Sequence, residues 1–342
     1  MPASRLLGFR RPRPPAKQAA LLTQTPVVPP SQTVVVQSKR SVAANVVQLR
    51  LAPLPNCSLA PWMPGSHIDL HLPDGMVRQY SLCGDPDDRA HYDLAVLRQP
   101  DGRGGSVYIH DHVEVGDTLT VSLPRNNFGF VPAERYLFIA GGIGITPILP
   151  MITAANRGGM PWTLHYGGRT AAGMAFTQTL AAYGDRVHLA TEDTSGILDL
   201  DRILRTSTSG TQVYACGPEG LLQTLESLDH LLPPASLHTE RFRATPAREV
   251  DTTSTELTVH CARSGIDVTV EPDRSILESL EDAGIEVASS CREGICGTCE
   301  TGVLDGVPEH RDSVLSAAER AAGNRMLICV SRATTDHLTL DT

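Results

Sequence analysis

The sequence predicts a multidomain protein with an antiparallel β-barrel, an α/β domain with a parallel sheet, and a smaller α+β domain. A length of 342 residues exceeds what one compact core usually organises. The pattern of apolar residues changes after Phe130, from closely spaced strands to alternating strands and helices. A polar segment then precedes the last part of the chain. We therefore predict a barrel over 32–131, an α/β domain over 132–243, a linker over 244–255 and a third domain over 256–342.

The first 31 residues are rich in Pro, Arg, Ala and Gln and show no apolar period, which predicts a disordered basic tail over 1–31. An arginine-rich start without acidic residues is also typical of organellar transit peptides. Pro12, Pro14 and Pro15 disfavour the amphipathic helix that such a peptide needs, so a plain tail fits better.

The net charge of −9 is concentrated in the third domain. Residues 256–342 carry 7 basic and 16 acidic residues, whereas residues 1–255 carry 22 of each sign. An acidic domain can steer a basic partner surface towards itself, and it can equally serve solubility alone.

The cysteine content and the apolar stretches bear on where the protein works. A disulfide framework is typical of small secreted chains, whereas this long chain of eight cysteines shows no secretory signal. We therefore predict a reducing, cytoplasmic location and a metal site. Residues 136–156 are uncharged and long enough to cross a bilayer, but their glycines and prolines favour a buried strand, a loop and a helix. We expect neither a membrane span nor a nucleic-acid partner.

Four cysteines near the C-terminus have the spacing of metal ligands. Cys291, Cys296 and Cys299 are separated by four and two residues, and Cys329 follows after twenty-nine more. The pattern C-x4-C-x2-C…C is that of a plant-type [2Fe–2S] cluster. A structural zinc site is the alternative, but such sites favour paired C-x2-C sequences and only one is present. Cys261, on a predicted strand, is expected to be a buried core thiol.

The segment 256–342 resembles a plant-type ferredoxin, on the CREGICGTC loop and the distant fourth cysteine. The resemblance implies a β-grasp, ferredoxin-like fold and a [2Fe–2S] cluster held by the four cysteines. Ser289 and Ser290 precede the first ligand, where members of that family often supply hydrogen bonds to the cluster region.

Two short sequences of the barrel domain suggest a flavin site. In RQYSL, Arg78 can bind phosphate, Tyr80 can contact a flat ring, and Ser81 can donate a hydrogen bond. In GRGGS, the candidate phosphate ligands are Gly104, Gly105 and Ser106, especially if a helix begins there. An ordinary exposed strand and a simple hairpin turn, with no bound flavin, would show the same sequence features.

Together these sequences resemble the flavin barrel of the phthalate dioxygenase reductase and vanillate demethylase reductase family. The likeness is close around RQYSLCGDP, RGGS and VSLPRNNF. It implies that the RxYSL strand and the GRGGS turn hold a flavin, with FMN preferred over FAD.

The α/β domain contains two strand–turn–helix sequences suited to a nicotinamide dinucleotide. FIAGGIGITP supplies Gly141, Gly142, Gly144, Thr146 and Pro147, where glycines allow close approach to a pyrophosphate and the helix start favours its charge. Its GGIG order differs from the G-x-G-x-x-G pattern, so its place between a strand and a helix is the supporting context.

The second sequence, YACGPEGLL, supplies Cys216, Gly217 and Pro218 and resembles the part of the ferredoxin reductase superfamily that lies beside the nicotinamide ring. A buried strand thiol is the alternative for Cys216. The resemblance also implies that Phe242 stacks on the flavin, unless it only packs in the core. Arg169 can contact either an adenosine ribose or a 2′-phosphate, so NADPH stays possible although the family leans to NADH.

The three sites together predict an electron relay. A nicotinamide releases two electrons as one hydride, a [2Fe–2S] cluster accepts one, and a flavin can mediate between them, so no side chain needs to perform acid–base catalysis. The architecture over 33–342 resembles the reductase component of two-component Rieske oxygenases, which implies a separate Rieske non-haem iron oxygenase as partner. The alternatives are a stand-alone NAD(P)H diaphorase, a reductase for a haem monooxygenase, and a redox sensor.

Overall fold

The computed structural model describes residues 30–243 and 256–342. The linker predicted over 244–255, and all but the end of the tail predicted over 1–31, lie outside the described residues. Within those ranges, no helix is long and apolar enough to span a membrane.

The first domain is an antiparallel barrel with one helix. Its elements are β1 (Ser31–Ala43), β2 (Val46–Pro53), β3 (Ser66–His71), β4 (Val77–Ser81), β5 (Tyr92–Leu97), α1 (Gly105–His112), β6 (Thr118–Ser122) and β7 (Arg125–Asn126). The strands pair in the order β4–β3–β6–β1–β2–β5, with β7 beside β3. A bridge between Leu82 and Leu94 joins the two ends of this sheet around an apolar core. Because the sheet closes into a barrel, the end of β4 and the start of α1 lie on the same rim of the barrel.

The second domain is a parallel sheet with helices. Its elements are β8 (Arg135–Gly141), α2 (Ile145–Arg157), β9 (Trp162–Gly168), α3 (Thr177–Leu180), β10 (Val187–Thr191), α4 (Glu192–Ser195), α5 (Leu200–Leu204), β11 (Thr211–Cys216), α6 (Glu219–Ser227) and β12 (Leu237–Glu240). The order is β10–β9–β8–β11–β12, and every pairing is parallel. The chain therefore reverses its direction of winding between β8 and β11, and the carboxyl ends of these two strands form the crevice where α/β sheets bind ligands.

The third domain has a mixed five-stranded sheet. Its elements are β13 (Leu257–Cys261), β14 (Ile266–Val270), α7 (Ile276–Asp282), β15 (Glu300–Asp305), β16 (Pro308–Glu309), α8 (Ala317–Ala322), β17 (Arg325–Leu327), β18 (Arg332–Ala333) and β19 (His337–Leu340). The order β14–β13–β19–β15–β17 has one parallel pair, β13 with β19. Ser275 caps α7 through a reciprocal bond with Glu278, as its position before the helix predicts. Cys261 is fully buried in the core, also as predicted.

Short 3-10 helices lie at Pro73–Gly75, Gly142–Gly144, Ala171–Gly173, Ala181–Arg186 and Asp229–Leu231. One of them corrects the sequence pattern. FTQTLAAYG reads as a single helix, but α3 ends at Leu180 and the chain continues as a 3-10 helix in which Gly184 has φ 57°. A positive φ cannot continue an α-helix, and glycine adopts it without strain.

Candidate electron-transfer site

A cleft of about 510 Å³ lies where the three domains meet. The barrel contributes Arg78, Tyr80, Ser81, Gly105 and Ser106, the α/β domain contributes Thr146, Glu240 and Phe242, and the third domain contributes Ser290 and Cys291. The flavin-site candidates of β4 and α1 therefore face a cluster-ligand candidate across one cavity. Gly104 does not line the cavity but forms the turn that begins α1, with φ 79°.

Arg78 lies across the start of α1. A side chain at Gly105 would bring its Cβ to 2.5 Å from Cγ and 2.7 Å from Nε of Arg78, so only glycine leaves room for this packing. The guanidinium of Arg78 donates to the carbonyls of Val77 and Arg103. Burial and the nearby charge of Arg103 lower the pKa of Arg78. Two crowded cations beside a helix start fit a phosphate, which would relieve their repulsion.

Ser106 and Tyr80 complete this side of the cleft. The hydroxyl oxygen of Ser106 accepts the backbone N–H of Gln99 at 3.0 Å, which leaves its O–H free to donate to a ligand. Tyr80 precedes Ser81 on β4, and burial raises the pKa of its phenol above the ordinary value. The phenol therefore stays neutral and can offer a flat face and a hydroxyl donor.

Glu240, the last residue of β12, is a cleft residue that the sequence analysis missed. Burial raises the pKa of its carboxyl to about 8, against the opposing hydrogen bond from the Ser81 hydroxyl. Its other oxygen, Oε2, has no hydrogen-bond partner among the described residues. A neutral carboxyl can donate a hydrogen bond to a ligand. The signal in the sequence was an acidic residue two positions before Phe242 at a strand end.

A larger cleft of about 1660 Å³ adjoins the first. It is lined by Gly141, Gly142, Gly144, Gly217 and Pro218, all at the carboxyl ends of β8 and β11. Ile143 and Phe242 line both cavities, so they lie at the boundary between them. Phe242 is 38 % exposed, which distinguishes it from a core side chain.

The two glycine turns pack directly on each other. A Cβ at Gly144 would lie 2.2 Å from the carbonyl oxygen of Cys216, and one at Gly141 would lie 2.6 Å from Cδ of Pro218. Both positions therefore require glycine, and the backbone of each loop is left facing the cleft. This geometry fits a pyrophosphate at the start of α2.

Three predicted nicotinamide-site residues lie elsewhere. Cys216 is fully buried and lines neither cavity, and burial raises the pKa of its thiol. Pro147 is buried within α2 and also lines neither cavity. Thr146 lines the smaller cavity, and its hydroxyl donates to the carbonyl of Ile143. The roles given to them at the nicotinamide therefore stay predictions.

The four cysteines of the third domain lie together. The Cys291 thiol contacts those of Cys296 and Cys329, and Cys329 contacts Cys299. Backbone N–H groups point at the sulfurs, from Glu293 to Cys291 at 3.3 Å and from Thr298 to Cys296 at 3.5 Å. Such N–H groups favour negative charge on the sulfurs of a bound cluster.

The loop that carries three of these thiols needs left-handed backbone at two glycines. Gly294 and Gly297 have φ 68° and 72°, and a side chain on Gly294 would meet Val330 at 2.6 Å. The adjacent Cys291 thiol and burial raise the pKa of the Cys296 thiol. A metal ligand must be deprotonated, so metal binding here would release that proton.

The arrangement of the thiols bears on which metal group fits. In the part of the chain that the structure describes, no three or more His, Cys, Asp or Glu side chains surround a single metal position. The thiols nevertheless lie close enough to contact one another. Four such thiols could hold a cluster of two irons, which is the group that the C-x4-C-x2-C…C spacing predicts.

Gly105→Val tests the phosphate end of the smaller cleft. The added side chain displaces Arg78, so we expect flavin to bind about ten- to a hundredfold more weakly, as for a lost hydrogen bond to a charged group. Flavin fluorescence titration of the flavin-free protein measures this. Gly129→Ala is the matched control, since its Cβ meets nothing within 4 Å. Wild-type affinity in Gly105→Val would contradict the assignment.

Glu240→Gln tests the buried carboxyl through pH dependence. A folded pKa of about 8 lies above the ordinary 4.5, so the folded state holds a proton that the unfolded state has released. The contribution of this group to the free energy of unfolding is therefore greatest below about pH 4.5, and it decreases as the pH rises to about 8. Relative to wild type, flavin-free Glu240→Gln should gain at least about 1 kcal/mol between pH 5 and pH 8. Urea unfolding measures it, with exposed Glu114→Gln as control; parallel wild-type and Glu240→Gln curves would refute a raised pKa.

Two family models match the chain. Residues 33–130 match the oxidoreductase FAD-binding domain, and residues 259–334 match the 2Fe-2S iron-sulfur cluster binding domain. The first match contains β4 and the start of α1, and the second contains all four clustered cysteines. These matches confirm a flavin-binding domain and a [2Fe–2S] domain.

Relatives and solved structures resemble nearly the whole chain. The phenoxybenzoate dioxygenase subunit beta of Ectopseudomonas oleovorans is 45 % identical over 83 % of this chain and 88 % of that protein. The vanillate O-demethylase oxidoreductase of Pseudomonas sp. (strain HR199 / DSM 7063) is 37 % identical over 90 % and 99 %.

Among solved structures, phthalate dioxygenase reductase has a TM-score of 0.67 and 34 % identity, covering 91 % of this chain and 98 % of that chain. An intact type IV self-sufficient cytochrome P450 monooxygenase has a TM-score of 0.86 and 42 % identity, but this chain spans only 41 % of its length. Together the matches confirm the predicted fold class. The chain therefore belongs to the family of phthalate dioxygenase reductase and vanillate O-demethylase reductase, which are electron-transfer oxidoreductases with flavin-binding and [2Fe–2S] domains.

Proposed function

We propose that the chain is the reductase component of an oxygenase system, and that it moves electrons from NADH through FMN to its [2Fe–2S] cluster and on to a separate Rieske-type oxygenase. One observation carries the proposal. The cleft lined by Arg78, Tyr80 and Ser81 is bounded on one side by Phe242, shared with the nicotinamide cleft, and on another by the cluster ligand Cys291. Three carriers bound at these places would lie in the order that the relay requires.

The side chains bind and orient the carriers. Arg78, Gly105 and Ser106 would hold the flavin phosphate at the turn formed by Gly104, while Tyr80 and Ser81 would contact the ring. When bound, the flavin accepts a hydride and releases electrons singly, which neither of its neighbours can do. Glu240 accepts the hydrogen bond of the Ser81 hydroxyl and so keeps it in place.

A nicotinamide dinucleotide would bind across the ends of β8 and β11. Gly141, Gly142 and Gly144 would let the backbone approach its pyrophosphate, beside the start of α2. Gly217 and Pro218 border the cleft towards Phe242, which would stack on a bound flavin. Cys216 would lie near the nicotinamide ring, and Thr146 and Pro147 would belong to the loop that holds the dinucleotide.

The preference for FMN over FAD rests on the shape of the phosphate end. Arg103, beside Arg78, forms an ion pair of 2.9 Å with Glu293 of the cluster loop. Both residues of this pair line the cleft and limit its extent at the Arg78 end. A volume of about 510 Å³ is ample for a mononucleotide.

The preference for NADH rests on acidic residues at the far end of the larger cleft. Glu192 follows β10, and it lines this cleft together with Asp199, Asp201 and Arg169, although Asp201 is also paired with Arg205. Carboxylates accept hydrogen bonds from ribose hydroxyls but repel a 2′-phosphate. NADPH is therefore disfavoured.

The proposed partner and location rest on several further points. The relatives reported above are named as subunits or reductases of dioxygenase and demethylase systems. The acidic third domain would steer its cluster towards a basic surface of the oxygenase. All eight cysteines are free of disulfide bonds, which suits the reducing cytoplasm.

A second candidate is a reductase that serves a haem monooxygenase. The match to a self-sufficient cytochrome P450 monooxygenase, at a TM-score of 0.86, favours it. Anaerobic mixing of the reduced protein with a Rieske oxygenase and with a cytochrome P450 separates the two. Faster reduction of the P450 haem would overturn the Rieske assignment.

Anaerobic titration with NADH tests the relay itself. One flavin and one cluster together hold three electrons, so both visible chromophores should bleach fully at about 1.5 NADH equivalents. Bleaching of the flavin alone would indicate a simple flavin diaphorase and contradict the proposal.

Cys296→Ser tests the order of the carriers. Loss of this ligand should abolish electron transfer through the cluster, because oxygen is a poor substitute for the thiolate, while NADH-to-dye activity through the flavin stays within about twofold of wild type. Steady-state assays with a flavin-accepting dye and with an oxygenase measure the two activities. Loss of both activities while flavin remains bound would contradict the order.

A further inference from the structure

The cluster loop is attached to the barrel by side-chain contacts. The Ser290 hydroxyl, one residue before the ligand Cys291, donates to Oδ2 of Asp69 at 2.7 Å. The Asn127 amide donates to the carbonyl of the ligand Cys296 at 2.9 Å. Both contacts join residues that are more than 160 positions apart in the sequence and lie in different domains.

Asp69 is held in one orientation by the barrel. It lies on β3 and is 1 % exposed. Its Oδ1 accepts from Arg125 of β7 at 2.7 Å, and its backbone N–H donates to the Ser122 hydroxyl at 2.9 Å. With one carboxylate oxygen bound to Arg125, the other is left to point at Ser290. The carboxylate is therefore a fixed acceptor and not a flexible surface group.

The second contact is just as constrained. Asn127 follows β7 directly, and a Cβ at Gly297 would lie 3.1 Å from its Nδ2. The loop can approach the amide this closely because Gly297 has no side chain and adopts φ 72°. Arg103 and Glu293 add a third contact, but Arg103 is half-exposed, so this ion pair contributes little.

These contacts lie at the boundary between the proposed flavin site and the cluster loop. Ser290 and Cys291 both line the cleft assigned to the flavin. The rate of electron transfer falls steeply as the distance between two carriers grows. A fixed acceptor beside Cys291 therefore sets the gap that an electron crosses.

We propose that Asp69 and Asn127 are positioning residues that dock the cluster loop on the barrel through Ser290 and the Cys296 carbonyl, and so set the rate of electron transfer from flavin to cluster. The step moves one electron from the reduced flavin to one ferric iron, and no bond forms or breaks. The inference rests on the proposed relay and adds the residues that determine its geometry.

Ser290→Ala tests the docking without touching the buried Asp69–Arg125 pair. In the holoprotein, stopped-flow spectroscopy should show NADH reducing the flavin at the wild-type rate and the cluster bleaching several-fold more slowly. Asn127→Ala should slow the same step. Ser290→Thr, which keeps the hydroxyl, should bleach the cluster at the wild-type rate. Thr269→Ala, on the exposed face of β14 in the same domain, is the control and should keep the wild-type rate.

Two readouts separate docking from an effect on the cluster itself. The midpoint potential and the EPR spectrum of the cluster should be unchanged in Ser290→Ala. Amide hydrogen exchange over 290–297 should be faster in Ser290→Ala and Asn127→Ala than in the Thr269→Ala control, and this comparison requires no electron transfer.

A wild-type bleaching rate in Ser290→Ala, or a potential shift that accounts for the slower rate, would overturn the proposal. Unchanged exchange over 290–297 in both variants would also overturn it. If the wild-type flavin failed to accept electrons from NADH, the relay itself would be wrong, and hydrogen exchange would still report on the docking.

Discussion

Carriers that exchange electrons must lie close together, and this protein meets that constraint by bringing three separately folded domains to one cleft. The barrel contributes the end of β4 and the start of α1, the α/β domain contributes the end of β12, and the third domain contributes the loop before Cys291. Each of these is a terminus or a turn, where backbone N–H groups and short side chains are free to bind a ligand. The sheets and helices behind them hold these termini in place.

The fold constrains several polar groups in and beside the cleft. Asp69 is paired with Arg125 and Ser290, and Glu240 is bonded to Ser81. Glu240 Oε2 and His67 Nε2 are exceptions, buried without hydrogen-bond partners in the described residues. Burial lowers the pKa of His67 to about 3, with Arg125 adding to the effect, so this imidazole is neutral. His67 therefore adds no charge to the cleft, and Arg78 and Arg103 are among the cations that could bind a flavin phosphate.

The third domain has two surfaces with different chemistry. Towards the barrel it presents Ser290, the Cys296 carbonyl and Glu293, which meet specific partners. Elsewhere it is strongly acidic, which suits encounter with a separate protein over a longer range. The short-range contacts suit electron transfer from the flavin to the cluster within this protein. The distributed negative charge suits transfer from the same cluster to a separate protein.

Local chemistry in the sequence predicted the fold class and the flavin-binding and [2Fe–2S] domains, and it supplied the candidate binding residues. Three local patterns were informative: the cysteine spacing of 291–299, the RQYSL strand and the glycine turns. Each places a binding group a few positions from the end of a strand or helix. Such patterns can be recognised without knowing how distant segments pack. Tertiary structure alone decided which of these groups meet. The approach of Ser290 to Asp69, the buried setting that raises the pKa of Glu240, and the withdrawal of Cys216 from both cavities depend on contacts between distant segments. No local pattern encodes them, because burial and domain docking are properties of the packed chain.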